Sequence, residues 1–167
     1  MDPQLLDQLK AEYNTLLEQG KLFDALPLIR QAAHWADFDS QVLAERIYFH
    51  NAYHHPRKDT AAYEYAMLAA MNGDPASMYD LSWLYRFGHG TVHDAKKAVY
   101  WLQKAADAGV PEALDDLGLC YLQARGVERD VQKASQLFKK AIEQGLDQPA
   151  SKHLSMAEKM IEKGNTQ

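Results

Sequence analysis

Five of the seven histidines in this 167-residue chain fall at two places in the sequence. His50, His54 and His55 close one expected helix and enter its turn, while His89 and His93 occupy a later turn. His50 and His54, at i and i+4, can share a helical face as metal ligands do. No Glu-x-x-His or His-Glu-x-x-His arrangement accompanies them, and no nearby Cys completes a ligand set. Solvated turn histidines, adding pH sensitivity, are the plainer reading. A metal-binding or metal-sensing protein using His50, His54, His89 and His93 stands as the alternative. No metal or cofactor is assigned.

Gly88-His89-Gly90 has the outline of a phosphate loop, but a dinucleotide fingerprint needs a third glycine and a preceding strand. A Walker loop needs Gly-Lys-Ser/Thr, which is also missing, so the glycines read as a helix stop. Cys120, the one cysteine, lies between Leu119 and Tyr121 with no His partner in sequence. Buried packing is expected of it rather than nucleophilic chemistry. The carboxylates are scattered over expected exposed helix positions without an acid/base pair, and an enzyme is not expected.

The aromatic residues carry more information. Tyr79, Trp83, Arg86 and Phe87, at offsets of 0, +4, +7 and +8, share one face of a helix. Trp, Tyr and Arg are the types enriched in interface hot spots. Neighbouring elements would add Tyr48 and Phe49 on one side and Leu119, Leu122 and Gln123 on the other. The same residues can instead fill the contact between successive structural repeats, and the sequence leaves both readings open. Tyr85 and Tyr121 are expected in the core.

What positions these side chains is an internal repeat. Residues 74–109 overlay 110–145 without a gap: Pro75, Asp80, Leu81, Tyr85, Gly90, Asp94, Lys97, Ala98, Lys104, Ala105 and Gly109 meet identical residues at Pro111, Asp116, Leu117, Tyr121, Gly126, Asp130, Lys133, Ala134, Lys140, Ala141 and Gly145. An apolar stripe at offsets 0, +3, +4, +7 and +8 recurs as Ala25, Leu28, Ile29, Ala32, Ala33, then from Ala62, Ala98 and Ala134. That is one face of an α-helix. A leucine followed by a small residue marks the other helix of each unit: Leu43-Ala44, Leu81-Ser82, Leu117-Gly118 and Leu154-Ser155. The small residue implies close contact with a partner helix.

Punctuation agrees. Asp74-Pro75 makes an N-cap followed by proline, Asp94 and Asp130 cap the next helices, and Gly90 and Gly126 fall where first helices stop. Gly73, Gly109 and Gly145 close the second helices. Pro27, three residues after Asp24, fits a first turn. Helices are expected near 3–19, 24–36, 40–54, 60–72, 75–87, 95–108, 112–124, 131–144 and 149–163. No segment alternates with period two, so the chain reads as all-α: an α-solenoid of tandem helix-turn-helix units. Stacking would bring the histidines of equivalent turns along one edge.

Composition narrows the partners. Apolar residues make up 47% and charged residues 25%, with a net charge of −5. This is the balance of a soluble globular chain. An acidic surface is a poor match for phosphate backbones, so nucleic acid is not expected. No stretch approaches 18 consecutive apolar residues, and the acidic N-terminus lacks the form of a secretory signal. One cysteine precludes an intrachain disulfide, and the reducing cytoplasm is the expected compartment. The last segment sets Leu154, Ala157, Met160 and Ile161 among Lys152, Lys159 and Lys163, offset by Glu158 and Glu162. A cap over the end of the core suits it better than a membrane-surface helix.

The pattern Ala113, Leu117, Gly118, Tyr121, followed by Gly126, Val127, Asp130, Lys133, Ala134 and by Lys140, Ala141, Ile142, Gly145, resembles a Sel-like repeat, a relative of the tetratricopeptide repeat with a longer turn. Residues 74–109 match with Ser77 and Ser82 in place of the small Ala and Gly. Residues 38–73 are a divergent copy with Ile47 at the Tyr position, 2–37 resemble a tetratricopeptide unit, and 146–164 resemble a capping helix, all within one expected domain, 1–167. The resemblance implies a non-catalytic scaffold, adaptor or regulator that binds a protein or peptide in a groove lined by its first helices. A narrower version is a cytoplasmic immunity-type protein that neutralises one partner enzyme. Self-association, with Leu5, Leu6 and Leu9 as a surface, stays open.

Overall fold

The computed structural model describes the backbone of residues 2–52 and 56–164, and the side chains of 2–49 and 60–163. Among the described residues there are nine helices and no strand: α1 Pro3–Glu18, α2 Leu22–His34, α3 Phe38–Ala52, α4 Pro56–Met71, α5 Pro75–Phe87, α6 Ala95–Asp107, α7 Pro111–Gln123, α8 Val131–Glu143 and α9 Ala150–Gly164. They fall into two compact units, Met1–Ser77 and Met78–Gln167.

In the first unit, α1 packs on α2, α2 on α3 and α3 on α4. The alanine-rich stripes meet there: Ala25, Ile29, Ala32 and Ala33 of α2 are buried with Tyr13, Ala44, Ala62 and Tyr65. Small side chains let the helix backbones approach closely, and the larger Ile29 and tyrosines fill the remaining volume. Asp37 begins α3 by accepting from the Ser40 backbone N–H at 3.0 Å and from Lys10 Nζ at 2.9 Å. The single polar residue thereby caps one helix and ties it to α1. Asp74 repeats the device at α5, accepting from the Ser77 N–H at 2.8 Å.

Two boundaries differ from expectation for physical reasons. Helix α2 starts at Leu22, before Asp24, with Lys21 at its N-cap and no side-chain cap bond. Pro27 therefore lies inside the helix rather than in its first turn, and removes one helical N–H. Helix α4 starts at Pro56, the favoured place for proline.

The second unit explains why the same residue types recur 36 positions apart. Asp94 and Asp130 cap α6 and α8 with their carboxylates, as expected. Their own backbone N–H groups donate to Tyr85 O at 2.9 Å and Tyr121 O at 3.0 Å, closing the turn onto the preceding helix. Lys133 Nζ lies 4.2 Å from the Tyr121 ring centre and donates to its hydroxyl at 2.7 Å; Lys97 Nζ lies 5.3 Å from the Tyr85 ring centre. Each repeat thus fastens its turn with a Tyr-Asp-Lys set. Tyr85 is buried as expected, whereas Tyr121 is only half-buried because its hydroxyl end reaches out to Lys133.

Two glycines are required by geometry. A Cβ on Gly118 would come within 2.5 Å of the Phe138 ring, so the absent side chain of α7 is what seats α8. This is the close contact anticipated from Leu117-Gly118. Gly126 has φ +72° and a Cβ there would overlap the Ala95 carbonyl. Helices α5 and α7 stop three residues before Gly90 and Gly126, which belong to the turns, and α7 ends on Ala124 in a left-handed conformation (φ 56°). Helix α9 lies over α8 and touches α7. It buries Ala150 and Ala157 and leaves Met160 exposed, so only part of the expected apolar set faces inward. No described helix is long and apolar enough to cross a membrane.

Candidate partner-binding surface

Helix α5 carries four of the residues singled out from sequence, and the second unit fixes two of them through one carboxylate. Tyr79 Oη donates to Asp116 Oδ2 at 2.9 Å, and Arg86 Nη1 lies 3.4 Å from Asp116 Oδ1. Asp116 is the repeat equivalent of Asp80, and its position two helices on, in α7, lets it span nearly two turns of α5. Burial, and then the Asp116 charge, push the Tyr79 phenol well above its ordinary value, so it remains a donor.

Next to this pair lies a shelf of rings. Trp83 stacks on His89 with centroids 5.0 Å apart and planes inclined by 10°. Phe87 tilts against Trp83 at 4.6 Å, and the Arg86 guanidinium carbon is 5.3 Å from the Phe87 ring centre. Phe87 is 51% exposed and Trp83 is half-buried. An exposed phenylalanine braced by Trp, His and Arg costs solvation that a partner can recover on covering it. His89, considered in sequence as a metal ligand, is here a stacking partner.

The other expected surface residues divide. Tyr48 is buried and stacks on Tyr65 at 5.4 Å, inside the first unit, where Phe49 is half-buried. Leu122 is buried with Ala134, Phe138 and Ala157; Leu119 is half-buried against the same cluster, and Gln123 is exposed. Tyr48 and Leu122 thus fill packing, because the inward face of a first helix takes every large apolar residue within reach. Of the expected dimer residues, Leu5 is 48% exposed, Leu6 is partly covered and Leu9 is buried.

Among the described residues, no three or more His, Cys, Asp or Glu side chains gather as a metal site. The side chains of His50, His54 and His55 lie outside the described residues. Cys120 is buried, and burial pushes its thiol up, away from the nucleophilic thiolate.

One polar pair gave no signal in the sequence. His153 Nδ1 of α9 lies 2.8 and 3.0 Å from the two carboxylate oxygens of Asp115 in α7, and the His153 ring tilts against Phe138 at 5.5 Å. Helix α9 also borders a hollow of about 710 Å³, lined by Lys152, His153, Met156, Lys159, Met160 and Lys163.

Helix-turn-helix units repeated at a constant period, with turns fastened alike, define a repeat scaffold of the solenoid class. The Sel1 repeat family model matches residues 75–110 and 111–146. The Sel1 repeat protein from Oxalobacter formigenes is 30% identical, with TM-score 0.64, and the match covers 76% of this chain and 94% of that one. The chain belongs to the Sel1 repeat family. It is also similar to c5321, a protective antigen present in uropathogenic Escherichia coli strains displaying an SLR fold: 25% identity, TM-score 0.75, covering 89% of this chain and 36% of that chain. This chain therefore spans about a third of that relative's length. The Helicobacter pylori cysteine rich protein B shares the fold at 17% identity and TM-score 0.52, with 87% and 92% covered. No curated protein matches the sequence significantly. Sel1 repeat proteins are generally protein–protein interaction modules and typically non-enzymatic scaffolds.

Proposed function

We propose that this chain is a non-enzymatic adaptor or regulator that binds a protein or peptide on the α5 face, with Phe87, Trp83 and Arg86 as its anchors and Gln123 and Leu119 at the margin. The supporting observation is the half-exposed Phe87 held between Trp83 and Arg86, whose guanidinium is in turn set by Asp116. A rigid aromatic-arginine cluster loses little side-chain entropy on binding, which is why such clusters dominate interface energetics.

Affinity capture with wild type and with a Trp83→Ala/Phe87→Ala double variant tests the reading. A specific partner recovered by the wild type should be lost, since truncating such anchors costs about 2 kcal/mol or more each. Undiminished, specific capture by a folded double variant would overturn it.

A further inference from the structure

We propose that a second hollow, between the C-terminal ends of α5 and α7 and the flank of α6, is a binding site for a carboxylate carried on a short apolar group. The cavity is about 380 Å³, at the small end of ligand sites. Arg86, Arg125 and His93 border it, and Ala98, Leu102 and Cys120 form its buried floor. No carboxylate lines it. In a chain of net charge −5, Arg125 beside the Asp116-paired Arg86 leaves one net positive charge over an apolar floor.

Both guanidiniums reach the floor electrostatically: each opposes the upward push that burial gives the Cys120 thiol, while Asp116 adds to that push. Their roles differ. Arg86 is steadied by Asp116, which stands behind it and is itself engaged by the Tyr79 hydroxyl. Arg125, exposed in the turn after α7, has no ion-pair partner among the described residues. A guanidinium receives a carboxylate through paired N–H donors, in a site partly screened from water. The apolar lining then selects among anions, because covering the solvent-facing Ala95 and Ala124 beside that floor rewards hydrocarbon that a bare inorganic anion lacks.

Two sources present this chemistry: the C-terminal residue of a partner chain, or a free aliphatic acid. The site shares Arg86 with the proposed protein-binding surface but is lined by neither Trp83 nor Phe87.

The test is titration of the isotope-labelled full chain, followed by backbone amide NMR. N-acetyl-leucine should move the amides of Ala98, Leu102, Ala124 and Gly126 saturably, with a Kd on the order of 1 mM for a ligand of this size. N-acetyl-leucinamide, which lacks the charge, should bind about tenfold more weakly or worse, as should the acid to Arg125→Gln. Arg125 is exposed in a turn, so its replacement leaves the fold intact; Lys139→Gln, away from the cavity, should change nothing. Hexanoate binding as tightly as N-acetyl-leucine identifies the free acid as the source, and a clear preference for N-acetyl-leucine identifies a chain end. Retention of acid binding by Trp83→Ala/Phe87→Ala separates this site from the partner surface. Equal binding of the amide, equal binding of inorganic phosphate, indifference to Arg125→Gln, or no localised shifts up to about 20 mM would each overturn the proposal.

Discussion

His153 Nδ1 and the Asp115 carboxylate meet at 2.8 Å, joining α9 to α7 through a polar contact beside an apolar cluster. Burial holds the Asp115 carboxyl above its ordinary value, and the hydrogen bond from His153 offsets only part of that. A raised carboxyl stabilises the fold below its unfolded value, about pH 3.9, and that contribution is lost as pH rises through the folded value. Asp115→Asn keeps an acceptor without the buried charge. Denaturant unfolding should show the variant gaining on the wild type between about pH 4 and pH 7. His153→Ala, which strands the carboxylate, should cost about 2 kcal/mol at neutral pH.

Asp37 has the opposite sign. Burial works to raise its carboxyl, but Ser40 and Lys10 outweigh it and hold it below the ordinary value. Its stabilisation is present above about pH 3.9 and fades as pH falls through the folded value. Asp37→Ala should lose about 1 kcal/mol or more at pH 7 through the missing cap, and the deficit should shrink in acid. Unfolding curves at two pH values decide it.

At the alkaline end, Tyr79 should be the group that matters. Its raised phenol contributes stability up to the unfolded tyrosine value, about pH 10, and loses it as pH rises further. Thermal unfolding should therefore decline above pH 10 less steeply in Tyr79→Phe than in wild type. The same decline in both would show that burial and Asp116 do not raise this hydroxyl.

The seat of α8 on α7 can be tested by filling it. Gly118→Ala should cost about 1–3 kcal/mol by overpacking against Phe138, and pairing it with Phe138→Leu should recover part of the loss. Gly126→Ala has no such rescue, because the obstacle is the Ala95 backbone and the φ is positive. Melting temperatures of the three variants rank these cases.

The helices were legible because local rules agreed with one another: Asp94 and Asp130 cap where the period says a helix begins, and Gly118 marks its close approach. Helix α2 was legible too, but its start lies two residues before the expected one because Lys21 gives no side-chain cap and Asp24 offered a false one. The surface was harder to read. Periodicity groups Tyr79, Trp83, Arg86 and Phe87 on one face but does not say which neighbour covers it, so Tyr48 and Leu122 went to packing while Phe87 stayed outside. Asp116 was visible only as an identity between repeats, since its work is done on another helix. Asp115 and His153, 38 residues apart, obey no local rule at all; only the fold brings them together.

The empty place at Gly118 has a consequence for how such chains are assembled. Phe138 can be large because its opposite number is nothing, whereas the preceding repeat has Ser82 and Leu102 at the same two places. Bulk is apportioned between the two helices of a unit, and differently in each unit. A graft that carries α7 and α8 together moves a matched set, while one that carries α8 alone sets a phenyl ring against a hydroxymethyl. The heritable part of this architecture is the couple, and a single helix is not interchangeable currency.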